Sequence, residues 1–336
     1  MNFITRDKLV KFSESVAFPV DLRLKDHLKA VAKQGENQIY EFIGTDTFSA
    51  EWNTRRQYEI DAGRSLEPTL YEPIYRIIND ASLPRNVTTF KMGPGGVVFE
   101  EMFEGGEVKF ATVTSSSQTV PIRHWAVGLE YSKDLVVFNE LWNVPIVERE
   151  AGIAHNALLN ELHFAPILDF TYAAANQTAF NTAGSTTQED YLLTLEDAVT
   201  NSKGDATNPR RGPYILVVSS ANAFMWEKSL LQVPQEGMSL QSRTLYPQIR
   251  DVIVYDGWSG SRGSGAATTY SGVSADMAYL ISMEHQAMDY QSYVKQALRN
   301  EGSETDLSRF MTQTVWDSYY GVYANPIRSV EEISLS

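Results

Sequence analysis

Cysteine is absent from all 336 residues, which excludes disulfide frameworks, thiolate metal sites, iron–sulfur clusters and cysteine nucleophiles together. Stability must then come from packing and from neighbouring subunits. Long apolar runs are missing too, since no stretch approaches the roughly 18 residues needed to cross a bilayer. Met1 to Ser15 alternates charged and apolar residues without the apolar centre of a secretion signal. The expectation is a chain that stays where it is made, in the cytoplasm, with no membrane partner. Histidine is scarce: His27, His124, His155, His163 and His285. His155 and His163 are eight residues apart, wider than metal-binding spacings, and read as a surface or interface pair. With Glu161 they would hold a metal only if a partner chain supplied further ligands.

Positive charge is also in short supply. Lys and Arg number 28 against 42 Asp and Glu, a net charge of −14. Such a chain repels phosphate backbones, which argues against sequence-specific nucleic-acid binding. The charge is uneven, however. Met1 to Lys33 holds seven basic residues, Lys25 and Lys29 among them, against four acidic ones, a net of +3. That segment is either an ordinary solvated helix face or an arm lying against acidic surface or packaged nucleic acid.

Apolar residues make up 43% of the chain, enough for two domains or one domain with large excursions. Residues 1–80 read as helical pieces broken by Pro19, Gly35, Gly63, Pro68 and Pro73, with Leu22, Leu24, Leu28 and Val31 on one amphipathic helix. From about Thr88 to Leu129 the pattern becomes strand-like, with Gly93-Pro94-Gly95-Gly96 and Gly105-Gly106 between alternating runs, as in β-hairpins. A lone hairpin is only marginally stable in water and needs something to lie against. Ser132 is placed as the N-cap of a short helix through Leu135, Val136, Phe138 and Leu141. Pro145 suits the first turn of a longer helix, whose expected buried stripe is Ile146, Ile153, Ala154, Ala157, Leu158, Leu162 and Ala165. Pro166 is expected to kink or divide it.

Beyond residue 185 the pattern is α/β. A helix over Leu192–Val199 precedes a buried strand, Tyr214–Val218, and Ser219 or Ser220 caps a helix carrying Phe224, Trp226 and Leu230. Strands follow at Asp251–Tyr255 and Met277–Ser282. Between them, residues 257–274 contain ten Gly or Ser out of eighteen and read as a mobile surface loop. The tail from Phe310 to Tyr323 is strand-like and leads to Asn325-Pro326-Ile327.

Nothing in the chain composes a catalytic constellation. Gly257-Trp258-Ser259-Gly260 lacks the second glycine of a nucleophile elbow. Gly93, Gly95 and Gly96 are not followed by the Lys-Ser/Thr of a phosphate loop, so a hairpin turn is the better reading. Glu100, Glu101 and Glu104 sit in an expected exposed hairpin with no apolar pocket to tune them for acid–base work. The chain reads as a non-enzyme with no cofactor and no metal.

Three stretches carry a family resemblance. They are Val120-Pro121-Ile122-Arg123 through Tyr131-Ser132-Lys133-Asp134-Leu135, Gly212-Pro213-Tyr214-Ile215-Leu216-Val217-Val218-Ser219, and Tyr319-Tyr320-Gly321-Val322-Tyr323-Ala324-Asn325-Pro326-Ile327. Together with the order of elements they make residues 85–336 resemble the major capsid proteins of tailed bacteriophages, the Hong Kong 97-type fold. The resemblance implies an α+β chain in five segments: an N-terminal arm (1–84), an extended β-hairpin or E-loop (85–128), a peripheral domain with a long spine helix (129–184), an α/β axial domain (185–304) and a return to the peripheral domain (305–336). It departs from the family in lacking a long charged coiled coil at the N-terminus that could act as a built-in scaffold.

The resemblance implies a structural subunit that self-assembles into hexamers and pentamers of an icosahedral head around double-stranded DNA, bound without sequence specificity. Portal, scaffolding and decoration proteins are the further partners, and the virion, assembled in the host cytoplasm, is the location. The hairpin acids Glu100, Glu101, Glu104 and Glu107 are expected to meet basic residues of another copy, with Arg210 and Arg211, or Lys25 and Lys29, as candidates. An encapsulin-type nanocompartment shell is the alternative within the same fold, and a soluble α/β enzyme is the more distant one.

Overall fold

The computed structural model describes residues 46–92, 115–132, 144–206, 208–230, 248–261, 267–306 and 311–335. By its contacts the chain divides into two units, Met1–Glu59 and Ile60–Ser336. Helix α1 (Asp46–Leu66) contains all that is described of the first unit.

The second unit carries two principal sheets. One sets Arg76–Asn79 (β1), Tyr290–Asp306 (β11), Met311–Ala324 (β12) and Arg123–Ser132 (β4) side by side in that order. The other runs across Gln177–Thr178 (β5), Val330–Ser334 (β13), Met277–Ser282 (β10), Tyr214–Val218 (β6) and Ile249–Val254 (β7). Two hairpin pairs complete the strands: Asn86–Met92 (β2) with Ser115–Pro121 (β3), and Gly257–Ser261 (β8) with Ala267–Ser271 (β9). The long helix is α2 (Val144–Leu168), and Thr187–Gly204 (α3) and Ser220–Leu230 (α4) flank the five-stranded sheet.

Strand β6 explains how the five-stranded sheet is built. Its sequence, Tyr214-Ile215-Leu216-Val217-Val218, has no polar alternation, as expected of a strand covered on both faces, and all five residues are buried. Successive side chains point oppositely. Tyr214, Leu216 and Val218 join Leu195, Val199 and Trp226 of α3 and α4, while Ile215 and Val217 join Leu159, Phe164 and Ile167 of α2. Strand β10 divides the same way, with Ala278 and Leu280 on one side and Tyr279 and Ile281 on the other. Helix α3 begins where Thr186 accepts from the Glu189 N–H at 3.3 Å and Glu189 reaches back to the Ser185 N–H at 2.8 Å. That reciprocal arrangement satisfies donors the first turn leaves open.

Helix α2 runs through Pro166, which falls in its last turn and does not divide it. The expected apolar stripe is displaced. Ile146 is 55% exposed and Leu158 only partly buried, whereas His155, Asn156, Leu159, Asn160 and His163 are buried. The polar residues are there because the backbone of 64–70 lies against the helix. Asn156 Nδ2 donates to the carbonyls of Arg64 (2.7 Å) and Glu67 (2.8 Å). Asn160 donates to the Pro68 carbonyl (3.0 Å) and accepts from the Leu70 N–H (2.9 Å). Two glycines permit a close helix crossing: a Cβ at Gly63 would lie 2.1 Å from the Arg149 carbonyl oxygen, and one at Gly152 2.2 Å from that of Ile60.

Other expectations are corrected. The Gly/Ser-rich 257–274 stretch is no loop in its described residues, because β8 and β9 pair antiparallel with Trp258 against Tyr270. Gly257 at φ +76° starts that hairpin where a side chain would strike the Tyr270 carbonyl. Phe224 is 70% exposed, while Trp226 alone turns into the core from that helix's aromatic pair. The expected helix at Leu135–Leu141 lies outside the described residues.

Segments 185–304 and 305–336 each contribute strands to both sheets. β11 joins the four-stranded sheet by pairing with the next strand along the chain, and β13 returns to the five-stranded one.

Candidate assembly surface

The acidic candidates Glu100, Glu101, Glu104 and Glu107, the basic candidates Lys25 and Lys29, and Gly93, Gly95 and Gly96 lie outside the described residues. The two arginines are described, and their fates differ. Arg210 is 1% exposed. Its guanidinium meets Asp205 at 3.0 Å and Glu331 at 2.6 Å, and donates to the Ala175 carbonyl at 2.9 Å. Thr178 donates to the other oxygen of Glu331 at 2.6 Å. Burial raises the Glu331 pKa, opposed by the Thr178 hydroxyl and by Arg210. Arg210 is therefore a cross-brace enclosed within its own subunit. A buried arginine is stable only where carboxylates neutralise it, and here the chain supplies both. Arg211 is exposed, beside Lys203, Gly212, Pro213 and Gln248, in a depression of about 450 Å³.

The histidine pair is also placed differently from the expectation. His163 is 0% exposed, stacked on Tyr71 with ring centroids 3.6 Å apart. One ring nitrogen lies 2.6 Å from the Leu159 carbonyl and the other 2.8 Å from Ser292 Oγ. Burial lowers its pKa to about 4, opposed by the Leu159 hydrogen bond. His155 is likewise lowered to about 4, by burial and then by Arg64. Glu161 accepts instead from the Tyr255 hydroxyl at 2.9 Å, and burial raises its pKa. Among the described residues no group of three His, Asp or Glu side chains converges as a metal site. Ser259 lies on β8, its hydroxyl 3.3 Å from that of Thr269.

A basic groove was not legible in the sequence. The first pair of the β2–β3 hairpin, Asn86 with Pro121, sets Arg85 and Arg123 at the same end of the two strands. Val120 and Ile122 anchor this root on Tyr293 and Tyr323 of the four-stranded sheet, and the Ile122 N–H donates to the Arg85 carbonyl at 2.8 Å. Arg85, Ile122, Arg123, His124, Lys295 and Tyr319 line a groove of about 790 Å³. Arg85 and Arg123 are exposed, and neither has an ion-pair partner among the described residues. Lys295 donates to the Leu83 carbonyl and helps lower the pKa of Asp80, whose main cause is the Ser82 side-chain hydrogen bond. His124 stacks on Tyr319 at 4.4 Å and lies 3.2 Å from Asp317, which also accepts from Gln296 at 2.8 Å. Three cations from positions far apart in the chain thus share one groove with Ile122 and Tyr319. The strand register was the signal that could have found them.

No family model matches the sequence, and no curated protein does. Solved structures do match. A virus-like particle from Pyrococcus furiosus aligns over 85% of this chain and 100% of its own, at TM-score 0.53 and 12% identity. The mature capsid of bacteriophage PhiM1 aligns over 80% and 87%, at TM-score 0.53 and 12% identity. The capsid of the Myoviridae phage XM1 aligns over 80% and 92%, at TM-score 0.51 and 13% identity. Two packed sheets, a long helix between them and a hairpin rooted on the four-stranded sheet are accordingly the Hong Kong 97-type capsid fold, which this chain shares with the subunits of phage heads and of an archaeal virus-like particle.

Proposed function

We propose that this chain is a shell-building subunit, the major capsid protein of a tailed bacteriophage. It assembles as hexamers and pentamers into an icosahedral head around double-stranded DNA. The observation that carries the reading is the likeness to capsid subunits across four-fifths of the chain. The β2–β3 pair supports it, because a two-stranded hairpin is only marginally stable by itself in water and gains from burial against a neighbour, at about 25 cal/mol per Å² of apolar surface. Head-to-tail contacts of one kind close into rings when their rotation allows. Portal, scaffolding and decoration proteins are the further partners, and the virion is the location. Within this reading Glu100, Glu101, Glu104 and Glu107 meet cations of another copy, with Arg211, Lys25 and Lys29 still candidates and Arg210 not.

The test is sedimentation and negative-stain microscopy of protein expressed alone and with the scaffold and portal of its genome. Closed shells holding nuclease-resistant DNA are expected in the complete system. A stable monomer under every condition overturns the reading. The likeness to the Pyrococcus particle favours a second reading, an encapsulin-type shell enclosing protein. Shells that hold a co-purifying enzyme and no nucleic acid would decide for it.

A further inference from the structure

We propose that the groove at the hairpin root is a binding site for a phosphate-class polyanion. The proposal does not depend on the shell reading. It starts from a segregation of charge. Arg85, Arg123 and Lys295 line the groove together with Asn86, His124 and Tyr319, and among the described residues no carboxylate lines it. The chain as a whole has 42 acidic residues against 28 basic ones. Carboxylates do stand nearby, and each is already engaged. Asp317 accepts from Gln296 at 2.8 Å and lies 3.2 Å from His124, while Asp80 accepts from the Ser82 N–H at 2.8 Å and hydroxyl at 2.6 Å. Arg85 and Arg123 therefore have no counter-charge among the described residues. Cations gathered in this way repel one another, and a bound anion removes that repulsion.

The arrangement suits phosphate better than carboxylate. The hydrogen bond from the Ile122 N–H to the Arg85 carbonyl, 2.8 Å, holds Arg85 beside the start of β4. In that sheet Arg123 pairs with Tyr320, and Tyr320 with Val294, the residue before Lys295. Arg123 and Lys295 thus stand about two strand spacings apart, about 10 Å, a span that two long side chains bridge through one anion. The Lys295 ammonium donates to the Leu83 carbonyl, which fixes its position and leaves further N–H donors for a ligand. A carboxylate offers oxygens in one plane and is filled by a single guanidinium fork. A phosphate offers them in tetrahedral directions, so two forks and an ammonium can share it. At about 790 Å³ the groove has room for several linked phosphates. Free polyphosphate and nucleic-acid backbone share this chemistry. The net charge of −14 opposes the approach of a long duplex more than that of a short chain.

The test titrates the full-length protein at fixed ionic strength with inorganic tripolyphosphate, and with tricarballylate as the carboxylate control. Tripolyphosphate should bind at least about tenfold more tightly. Its affinity should fall at least about tenfold in Arg85→Gln/Arg123→Gln, stay unchanged in Arg211→Gln, and weaken as salt is raised. Phenylglyoxal labelling of the parent protein, read by peptide mass spectrometry, needs no variant to fold. Bound tripolyphosphate should slow the labelling of Arg85 and Arg123 at least about fivefold and leave Arg211 reactive. A double-stranded oligonucleotide that protects the same two arginines assigns the site to nucleic-acid backbone. Protection by tripolyphosphate alone assigns it to free polyphosphate. No protection by either, equal binding of tricarballylate, or binding that survives the double substitution overturns the proposal and leaves the shell reading as it stands.

Discussion

Arg210 Nη2 lies 2.6 Å from Glu331 Oε2, joining the loop before β6 to the last strand across 121 positions of sequence. Both side chains are 0% exposed, so neither charge has water to fall back on. Removing one member of such a pair strands the other in a low-dielectric site. Arg210→Met should cost about 3–5 kcal/mol in urea unfolding, and Arg210→Met/Glu331→Leu should recover much of that loss. If Arg210→Met unfolds like the parent and fails only in assembly, the arginine is an intersubunit contact after all.

The crossing of residues 60–64 over α2 depends on Gly63 and Gly152, whose absent Cβ atoms leave room for opposing carbonyls. Backbone on the far side cannot swing away as a side chain could. Gly152→Val should therefore destabilise by at least about 1–3 kcal/mol, the range for overpacking. Gly128, with open space where its Cβ would stand, is the control. Gly128→Ala should leave the thermal midpoint within a few degrees of the parent.

His163 has a folded pKa of about 4 against an ordinary 6.5, because burial disfavours its charged form. The folded value is the lower one, so the unfolded chain takes up the proton first as pH falls. Its contribution is complete above about pH 6.5 and is lost as pH drops towards 4. Between pH 7 and pH 5 the parent should lose about 2 kcal/mol more unfolding free energy than His163→Gln. Parallel pH profiles for the two proteins would refute the buried neutral state.

Adjacent leucines on α2 should behave differently. Leu159 is 2% exposed and belongs to the core that holds Phe164, Ile215 and Val217. Leu158, one position earlier, is only partly buried. Leu159→Ala should cost about 2–5 kcal/mol. Leu158→Asp should remain folded in circular dichroism, against the expectation from the apolar stripe. Equal damage at both positions would restore that stripe.

The elements whose signals are local could be read before any fold was known. The unbroken apolar run of β6, the helical run Leu192–Val199 within α3, and the Pro145 start of α2 depend on neighbours a few positions away. The order of those elements was enough to suggest the fold. Which face of α2 is buried emerges only in the folded chain, because the unpaired backbone of 64–70 selects Asn156 and Asn160 over the apolar stripe. Folding likewise took Arg210 inside, through carboxylates at 205 and 331, and gathered Arg85, Arg123 and Lys295 into one groove. These sites are made by residues as far apart in the chain as Arg85 and Lys295, and no local periodicity records a contact at that range.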